Sequence, residues 1–394
     1  MAITAVQTLR DRGLQPAGGV VVAPSDGPSP HPRLDFIQGD HPEPGAGSLA
    51  AAEALARTAQ QVRGEDEVWV LLSGGTTSLV AAPEPGIEPT ELSAIYTLLL
   101  GSGLDITAMN RIRKRFSRWG GGKLARALAP ARVRVYVVSD VIGDDLASIG
   151  SGPCVPDPTT AAEVHALLET ADLWRRIPES ARRLVLETEA GLLAETPKPG
   201  DLAFSRVTLQ VIASNRVARE AAAGRAAELD LSPLVVETPI AGEASAVGAS
   251  IAAGLLENCA EFLDRRSNLR AHSACIIWGG ETTVSLGEHP TGMGGRCQEL
   301  ALAAAQIMSE AQSSVALLAA GTDGRDGPTD AAGAIVDQDT WRAIARSGRD
   351  PARDLAAHDA YRALDAAGAL LRPGLTGTNV MDIVIGVCGG KQKA

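Results

Sequence analysis

Aromatic side chains make up only 3% of this 394-residue chain, which leaves few platforms on which nucleic-acid bases could stack. Positive charge is short as well: 36 Lys and Arg stand against 47 Asp and Glu, a net charge of −11. A field of that sign repels DNA, RNA and anionic membrane surfaces, so none of them is expected as a partner. No apolar run comes near the ~20 residues that span a bilayer, and no basic-then-apolar segment opens the chain. The five cysteines (Cys154, Cys259, Cys275, Cys297 and Cys388) are scattered without CxxC spacing. That excludes a disulfide framework and a zinc site, and it suits reduced thiols in a cytosol. The six histidines (His31, His41, His165, His272, His289 and His358) show no metal-ligand spacing either. His41, in "GDHPEP", could touch a substrate, with a structural role at least as well supported. A soluble cytoplasmic enzyme acting on small molecules is what remains.

Two nucleotide signatures are also missing. "GGGK" at 120–123 is not a Walker A loop, because Ser117 stands where its first glycine belongs and Leu124 where a hydroxyl should follow the lysine. No G-x-G-x-x-G follows a strand and opens a helix, so nothing marks a Rossmann dinucleotide site.

What is present is α/β patterning. The length suggests two or three domains, and 45% apolar residues with 42 Gly and 23 Pro fit a loop-rich globular protein. Helical periodicity runs over 3–14, 49–62, 88–100, 106–117, 123–128, 160–169, 179–187, 216–229, 244–263 and 298–309. Strands are expected at 19–23, 68–72 and 133–140, and in "RVTLQVIAS", "SACIIWGG", "SVALLAAG" and "VMDIVIGV". This alternation predicts a mostly parallel sheet covered on both faces. A second unit is expected to begin near residue 240, giving domains 1–238 and 239–394, with the Gly- and Pro-rich stretch at 190–202 read as an exposed loop.

Strand ends are where open α/β sheets bind ligands, and four of them here carry similar cargo. "VWVLL" ends in "SGGTTS", where the backbone amides of Gly74 and Gly75 and the hydroxyls of Thr76, Thr77 and Ser78 could point at one anion. "VYVVSD" runs into "VIGDDLASIGSGP", with Asp140, Asp144 and Asp145. "CIIWGG" is followed by "ETT" and then "TGMGGRCQE", where Gly294 and Gly295 precede Arg296 and a helix. "ALLAAG" is followed by "TDGRDGPTD", with Asp323, Asp326 and Asp330. Each loop alone reads more simply as a turn or a cap. Their recurrence points to a site for phosphates and a divalent ion, because hard cations take carboxylate and phosphate oxygens. In "NRIRKRFSRWGGGK" (110–123), Arg111, Lys114, Arg115 and Arg118 fall on one helical face and Ile112 and Phe116 on the other. A solvated face and an anion clamp are equally open for this stripe, with Lys114 its foremost functional member, one turn beyond Asn110.

Seven segments in order, "LLSGGTTSL", "MNRIRKRFSRWGGGKLA", "SDVIGDDLASIGSGPCVPDPTT", "GGETTV", "GMGGRCQELAL", "AAGTDGRDGPTDAAGA" and "TGTNVMDIVIGV", together resemble the class II glycerate 2-kinases. Their C-terminal half carries the MOFRL domain, and some homologues are labelled hydroxypyruvate reductases. The resemblance covers about residues 18–389. It implies a Rossmann-like, mostly parallel sheet domain followed by a smaller MOFRL-type α/β domain, with the active site in the cleft between. It further implies transfer of the ATP γ-phosphoryl to the 2-hydroxyl of D-glycerate, with Mg²⁺. Carried over by motif, the phosphate loop falls on Ser73, Gly74 and Gly75 with Thr76, Thr77 and Ser78 beyond it. The N-x-x-R-K element falls on Asn110, Arg113 and Lys114, and S-D-x-x-G-D-D on Asp140, Asp144 and Asp145, the expected metal ligands. G-G-R-N-x-E falls on Gly294, Gly295, Arg296 and Glu299, with Cys297 in place of the Asn. T-D-G falls on 322–324, and T-G-T-N on 376–379, including Thr378 and Asn379.

On this reading Arg296 and Lys114 face the glycerate carboxylate and the transferring phosphoryl, and Asp323 accepts the hydroxyl proton. The family also carries a first strand ending in G-x-G-K-A, whose lysine is catalytic. The present sequence is expected to start after it, with 2–14 as the following helix. Such a loss would expose a sheet edge and weaken transition-state charge stabilisation. An NAD(P)H-dependent hydroxypyruvate reductase and an inactive ligand-binding homologue stay open as alternatives, as does a homodimer.

Overall fold

The computed structural model describes residues 1–41, 43–264, 273–287, 292–311 and 314–389; His272 and His289 lie outside the described residues. They divide into two compact units, 1–138 with 144–212, and 139–143 with 213–394. Among the described residues no helix is long and apolar enough to cross a membrane.

Unit 1 runs α1 (Ala2–Asp11), β1 (Val20–Ala23), β2 (Asp35–Gln38), α2 (Ala46–Gln61), β3 (Glu67–Leu72), α3 (Thr76–Leu79), α4 (Pro89–Leu100), α5 (Ile106–Phe116), α6 (Lys123–Leu128), β4 (Arg132–Val138), α7 (Ala161–Thr170), α8 (Glu179–Glu189) and β5 (Val207–Ala213). β1 pairs with β2 and β3 with β4, both parallel, as the βα alternation predicts. β5 lies beyond β4. Among the described residues β1 pairs only with β2, and β3 is an end strand of its sheet. The apolar side chains of β1 are therefore only partly buried. The helices α4, α5, α7 and α8 close a core of their own around Ile95, Leu99, Ile112, Phe116, Leu168 and Val185. Asp105 starts α5 by accepting a hydrogen bond from Ala108 N at 2.8 Å, and Ile112 and Phe116, one turn apart, plug it into that core.

Unit 2 continues with α9 (Asn215–Glu228), β6 (Leu231–Val235), α10 (Ala244–Asp264), β7 (Ser273–Gly280), α11 (Arg296–Met308), β8 (Ser314–Gly321), β9 (Gly333–Asp337), α12 (Thr340–Arg346), α13 (Pro351–Ala356), α14 (Ala360–Ala366), β10 (Leu370–Leu371) and β11 (Asp382–Gly389). Its six strands lie in the order β10-β9-β8-β11-β7-β6. β11 is antiparallel to both β7 and β8, and only β6 runs parallel to its neighbour β7. The mostly parallel pattern therefore belongs to unit 1 and does not extend to unit 2. Alternation along β11 separates two cores. Val384 and Cys388 pack with α10 and α11, while Ile383, Ile385 and Val387 pack with α9.

The boundary at 212/213 lies earlier than the 238/239 division read from sequence. The reason is β6: it pairs with β7 from Leu231↔Ser273 to Val235↔Ile277, and α9 packs on both strands. β6 escaped notice because Pro233 interrupts it, which an edge strand tolerates.

Candidate active site

The candidate residues gather into one cluster in each unit. In unit 1, β3 delivers the chain to Ser73 and Gly74, and Gly75 turns at φ +78° into the single-turn helix α3. A Cβ on Gly75 would sit 2.9 Å from His41 Cδ2, so the glycine lets the imidazole lie against the loop. Two of the expected anion donors are already engaged: the Thr76 hydroxyl donates to Ser73 O at 2.7 Å, and Thr77 Oγ1 lies 3.1 Å from Ser151 Oγ. Ser151 belongs to the "SIGSGP" loop (148–153), whose carbonyl at 151 receives the Gly121 amide at 2.8 Å. The "SGGTTS", "SIGSGP" and "WGGGK" loops thus converge, and α5 passes beside them.

The basic stripe of α5 is not a uniform face. Arg111 donates to Thr159 Oγ1 at 3.2 Å and pairs with Glu163, and Arg113 stacks on Tyr96. Arg115 is buried against Glu195 at 2.5 Å, and Arg118 reaches Glu53 at 2.7 Å. Lys123 pairs with Glu84 and donates to the carbonyls of Lys114, Arg115 and Ser117, closing the C-terminal end of α5. Lys114 and Asn110 are buried on the same face without any such bond among the described residues. Burial lowers the Lys114 pKa, opposed by Asp157 and Asp145.

In unit 2 the centre is Arg296. Its Nε and Nη2 grip Asp382 Oδ2 and Oδ1 at 2.6 and 2.9 Å, and its Nη1 reaches Glu281 at 2.9 Å. Asp382 is buried at the start of β11, opposite Gly280 on one neighbouring strand and Gly321 on the other. A Cβ at Gly280 would collide with the Ile240 backbone, and one at Gly321 with the Arg325 carbonyl, so both glycines let the flanking loops close down beside Asp382. Burial raises the Glu281 pKa; Arg296 opposes this, while Asp382, Asp140 and Asp323 push it further up. One guanidinium therefore sits among four carboxylates. Asp323 is half-buried and accepts the Arg325 amide at 3.0 Å. Its loop is knitted to the 376–379 loop: Thr376 donates to Thr322 O at 2.6 Å, and Thr376 N to Asp323 O at 3.0 Å. Thr378 and Asn379 are exposed builders of that loop, receiving or supplying its turn bonds.

Three of the expected site elements have surroundings of their own in the structure. Among the described residues no three His, Cys, Asp or Glu side chains stand together as a ready metal-binding group; Asp140 belongs to unit 2, and Asp144 and Asp145 belong to unit 1. Asp145 instead caps its own turn, accepting from Ala147 N and Ser148 Oγ. The N-terminus of α11, where Gly294 and Gly295 were expected to admit an external anion, is filled by the protein itself. Asp326 accepts the amides of Cys297 at 3.2 Å and Gln298 at 2.8 Å, and a Cβ on Gly295 would collide with that carboxylate. Burial raises the Asp326 carboxyl to about 6. Glu299 is likewise turned inward, its Oε2 2.9 Å from His358 Nδ1.

Sequence reading missed Asp382, Glu281 and Asp157. Asp382 carried a signal, a carboxylate opening an otherwise apolar strand; Asp157, buried in a Pro-rich loop and bonded to Thr159 N and Thr196 Oγ1, carried none.

Residues 1–186 match the family described as Domain of unknown function (DUF4147), and residues 274–382 match the MOFRL family. The chain is 38% identical over 360 residues to a glycerate 2-kinase of Pyrococcus horikoshii, spanning 91% of this chain and 79% of the relative. It is 38% identical over 371 residues to a D-glycerate 2-kinase of Thermotoga maritima, spanning 94% and 84%. A protein named as a hydroxypyruvate reductase from Agrobacterium vitis is also 38% identical, over 365 residues, spanning 93% and 80%. The crystal structure of the Thermotoga maritima glycerate kinase matches with a TM-score of 0.87 at 35% identity, covering 98% of this chain and 88% of that one.

Proposed function

This chain belongs to the glycerate kinase family, and on that premise we propose that it transfers the γ-phosphoryl group of ATP to the 2-hydroxyl of D-glycerate, giving 2-phosphoglycerate. The observation that carries the reading is the Arg296 cluster. A guanidinium fixed by a buried aspartate and ringed by further carboxylates suits a reaction that is mostly positioning and charge neutralisation. Two N–H groups of Arg296 are not used by Asp382 or Glu281 and would face the transferring phosphoryl. Asp382 locks the planar fork so that this donor pair needs no reorganisation.

The surplus of carboxylates fits Mg²⁺, which takes one or two carboxylates together with phosphate oxygens. Asp140 and Glu281 are the side chains of unit 2 that would hold it. The ion would supply charge neutralisation on the triphosphate. Asp323 would accept the proton of the 2-hydroxyl. The amides of Gly74 and Gly75 and the hydroxyls of Ser73 and Ser78 would meet the ATP phosphates.

A coupled assay of ATP- and D-glycerate-dependent turnover tests this. Arg296→Ala should lower kcat by about 10²-fold or more, and unchanged turnover would remove Arg296 from the reaction. The name carried by the Agrobacterium vitis relative supplies the second assay. Oxidation of NAD(P)H by hydroxypyruvate, without phosphoryl transfer, would replace the kinase with a reductase.

A further inference from the structure

Six cations lie between residues 110 and 123, and among the described residues Lys114 is the one that neither stacks nor pairs. Arg111, Arg115, Arg118 and Lys123 hold carboxylates, and Arg113 lies over Tyr96. Lys114 is 6% exposed and Asn110, one turn before it, 8%. Neither side chain makes a hydrogen bond or an ion pair among the described residues. Their polar tips are not sealed in, unlike the orphaned Nε atoms of Arg113 and Arg115 beside them. An unpaired ammonium and an unpaired amide in a largely buried position cost stability unless something meets them.

The glycine loop after α5 comes in close beside this pair. Gly121, at φ +59°, lies where a Cβ would be 3.4 Å from Lys114 Cβ and 3.3 Å from Asp157 Oδ2, and a Cβ on Gly120 would be 3.2 Å from Ser151 Cβ. Asp157 acts on the lysine through its charge and makes no ion pair with it; its oxygens accept from Thr159 N and Thr196 Oγ1. One uncommitted cation beside one amide matches a singly charged, two-oxygen group better than a phosphate, which gathers several cations. The amide oxygen of Asn110 adds an acceptor for a neighbouring hydroxyl.

We propose that Asn110 and Lys114 form the subsite for the carboxylate of the hydroxy-acid substrate, the ammonium on the carboxylate and the amide between it and the adjacent hydroxyl. The identity of the acid rests on the glycerate kinase reading; the subsite is tested without turnover.

Calorimetric titration and thermal shift with D-glycerate, in the absence of nucleotide, read it directly. Lys114→Met should weaken D-glycerate binding at least tenfold, leave the shift given by ATP with Mg²⁺ unchanged, and melt above the wild type because a desolvated charge is gone. Asn110→Asp gives Lys114 an internal carboxylate partner, so it should also melt higher and lose D-glycerate binding. Glycerol, which keeps the hydroxyls and lacks the carboxylate, should not bind the wild type. Unchanged D-glycerate affinity in both variants overturns the proposal. So does loss of ATP binding with D-glycerate retained, which would make this a phosphate subsite, and so does a wild type blind to D-glycerate. A wild type that binds D-glycerate through this pair yet transfers no phosphoryl supports the subsite and removes the kinase.

Discussion

The two units treat their charges in opposite ways. In unit 2 nearly every candidate group is closed on another: Arg296 on Asp382 and Glu281, Glu299 on His358, and Asp326 on the first amides of α11. In unit 1 a helix rich in cations has, among the described residues, paired or stacked all but one of them, and the residue left over is buried beside an asparagine that likewise meets no partner among them. The lesson is that a glycine pair before a helix identifies a close approach, not what makes it. At Gly295 the approaching anion is the protein's own Asp326. At Gly121 a Cβ would press on Asp157 and Lys114, and the Lys114 ammonium itself makes no hydrogen bond or ion pair among the described residues. Unmet hydrogen-bonding capacity marks a ligand site more sharply than loop composition does.

The contrast breaks first, and most heavily, at Arg296. Arg296→Met should cost about 3–5 kcal/mol in urea unfolding, because Asp382 stays buried without its counter-charge. Adding Asp382→Leu should recover most of that loss while phosphoryl transfer stays absent. A single variant as stable as the wild type would show that unit 2 is not held by this pair.

Next in size is Asp326. Burial raises its carboxyl from 3.8 to about 6, so between those values the folded chain keeps a proton the unfolded chain has released. Its contribution is therefore full below about 3.8 and falls away as pH rises through about 6. That decline amounts to roughly 2–3 kcal/mol. Denaturation midpoints from pH 4 to 7 should flatten in Asp326→Asn, on top of a uniform loss of about 1 kcal/mol from the weaker cap. Parallel pH profiles for the two proteins would contradict the assignment.

The smallest effect belongs to Arg118→Gln. Its partner Glu53 is exposed, so stability should move by less than about 0.5 kcal/mol. D-glycerate affinity should not move at all. A loss of affinity equal to that of Lys114→Met would mean that the whole stripe, not its one unpaired member, attracts the substrate.

Much of the fold was legible in the chain. The periodicity of "ITAMNRIRKRF" places Ile112 and Phe116 on the core side, and the apolar run before "SGGTTS" is β3. What escaped were short or interrupted strands. β2 is four residues in a Pro-rich stretch, β6 contains Pro233, and β9 lies between glycine loops with a mere five residues. Their pairing comes from neighbours distant in sequence and leaves no period to read. The antiparallel course of β11 was hidden for the same reason, since strand direction follows the connection and not the residues.

The sequence by itself determined where helices and strands form, where glycines let the backbone turn, and that carboxylates and cations collect at strand ends. Those properties rest on local sterics and on periods of two and 3.6 residues. Only the tertiary structure decided which of those charges are already answered. Arg296 meets Asp382 across 86 positions and Arg115 meets Glu195 across 80, while Lys114 meets no partner among the described residues. Pairing depends on distance in space, and a motif records distance along the chain.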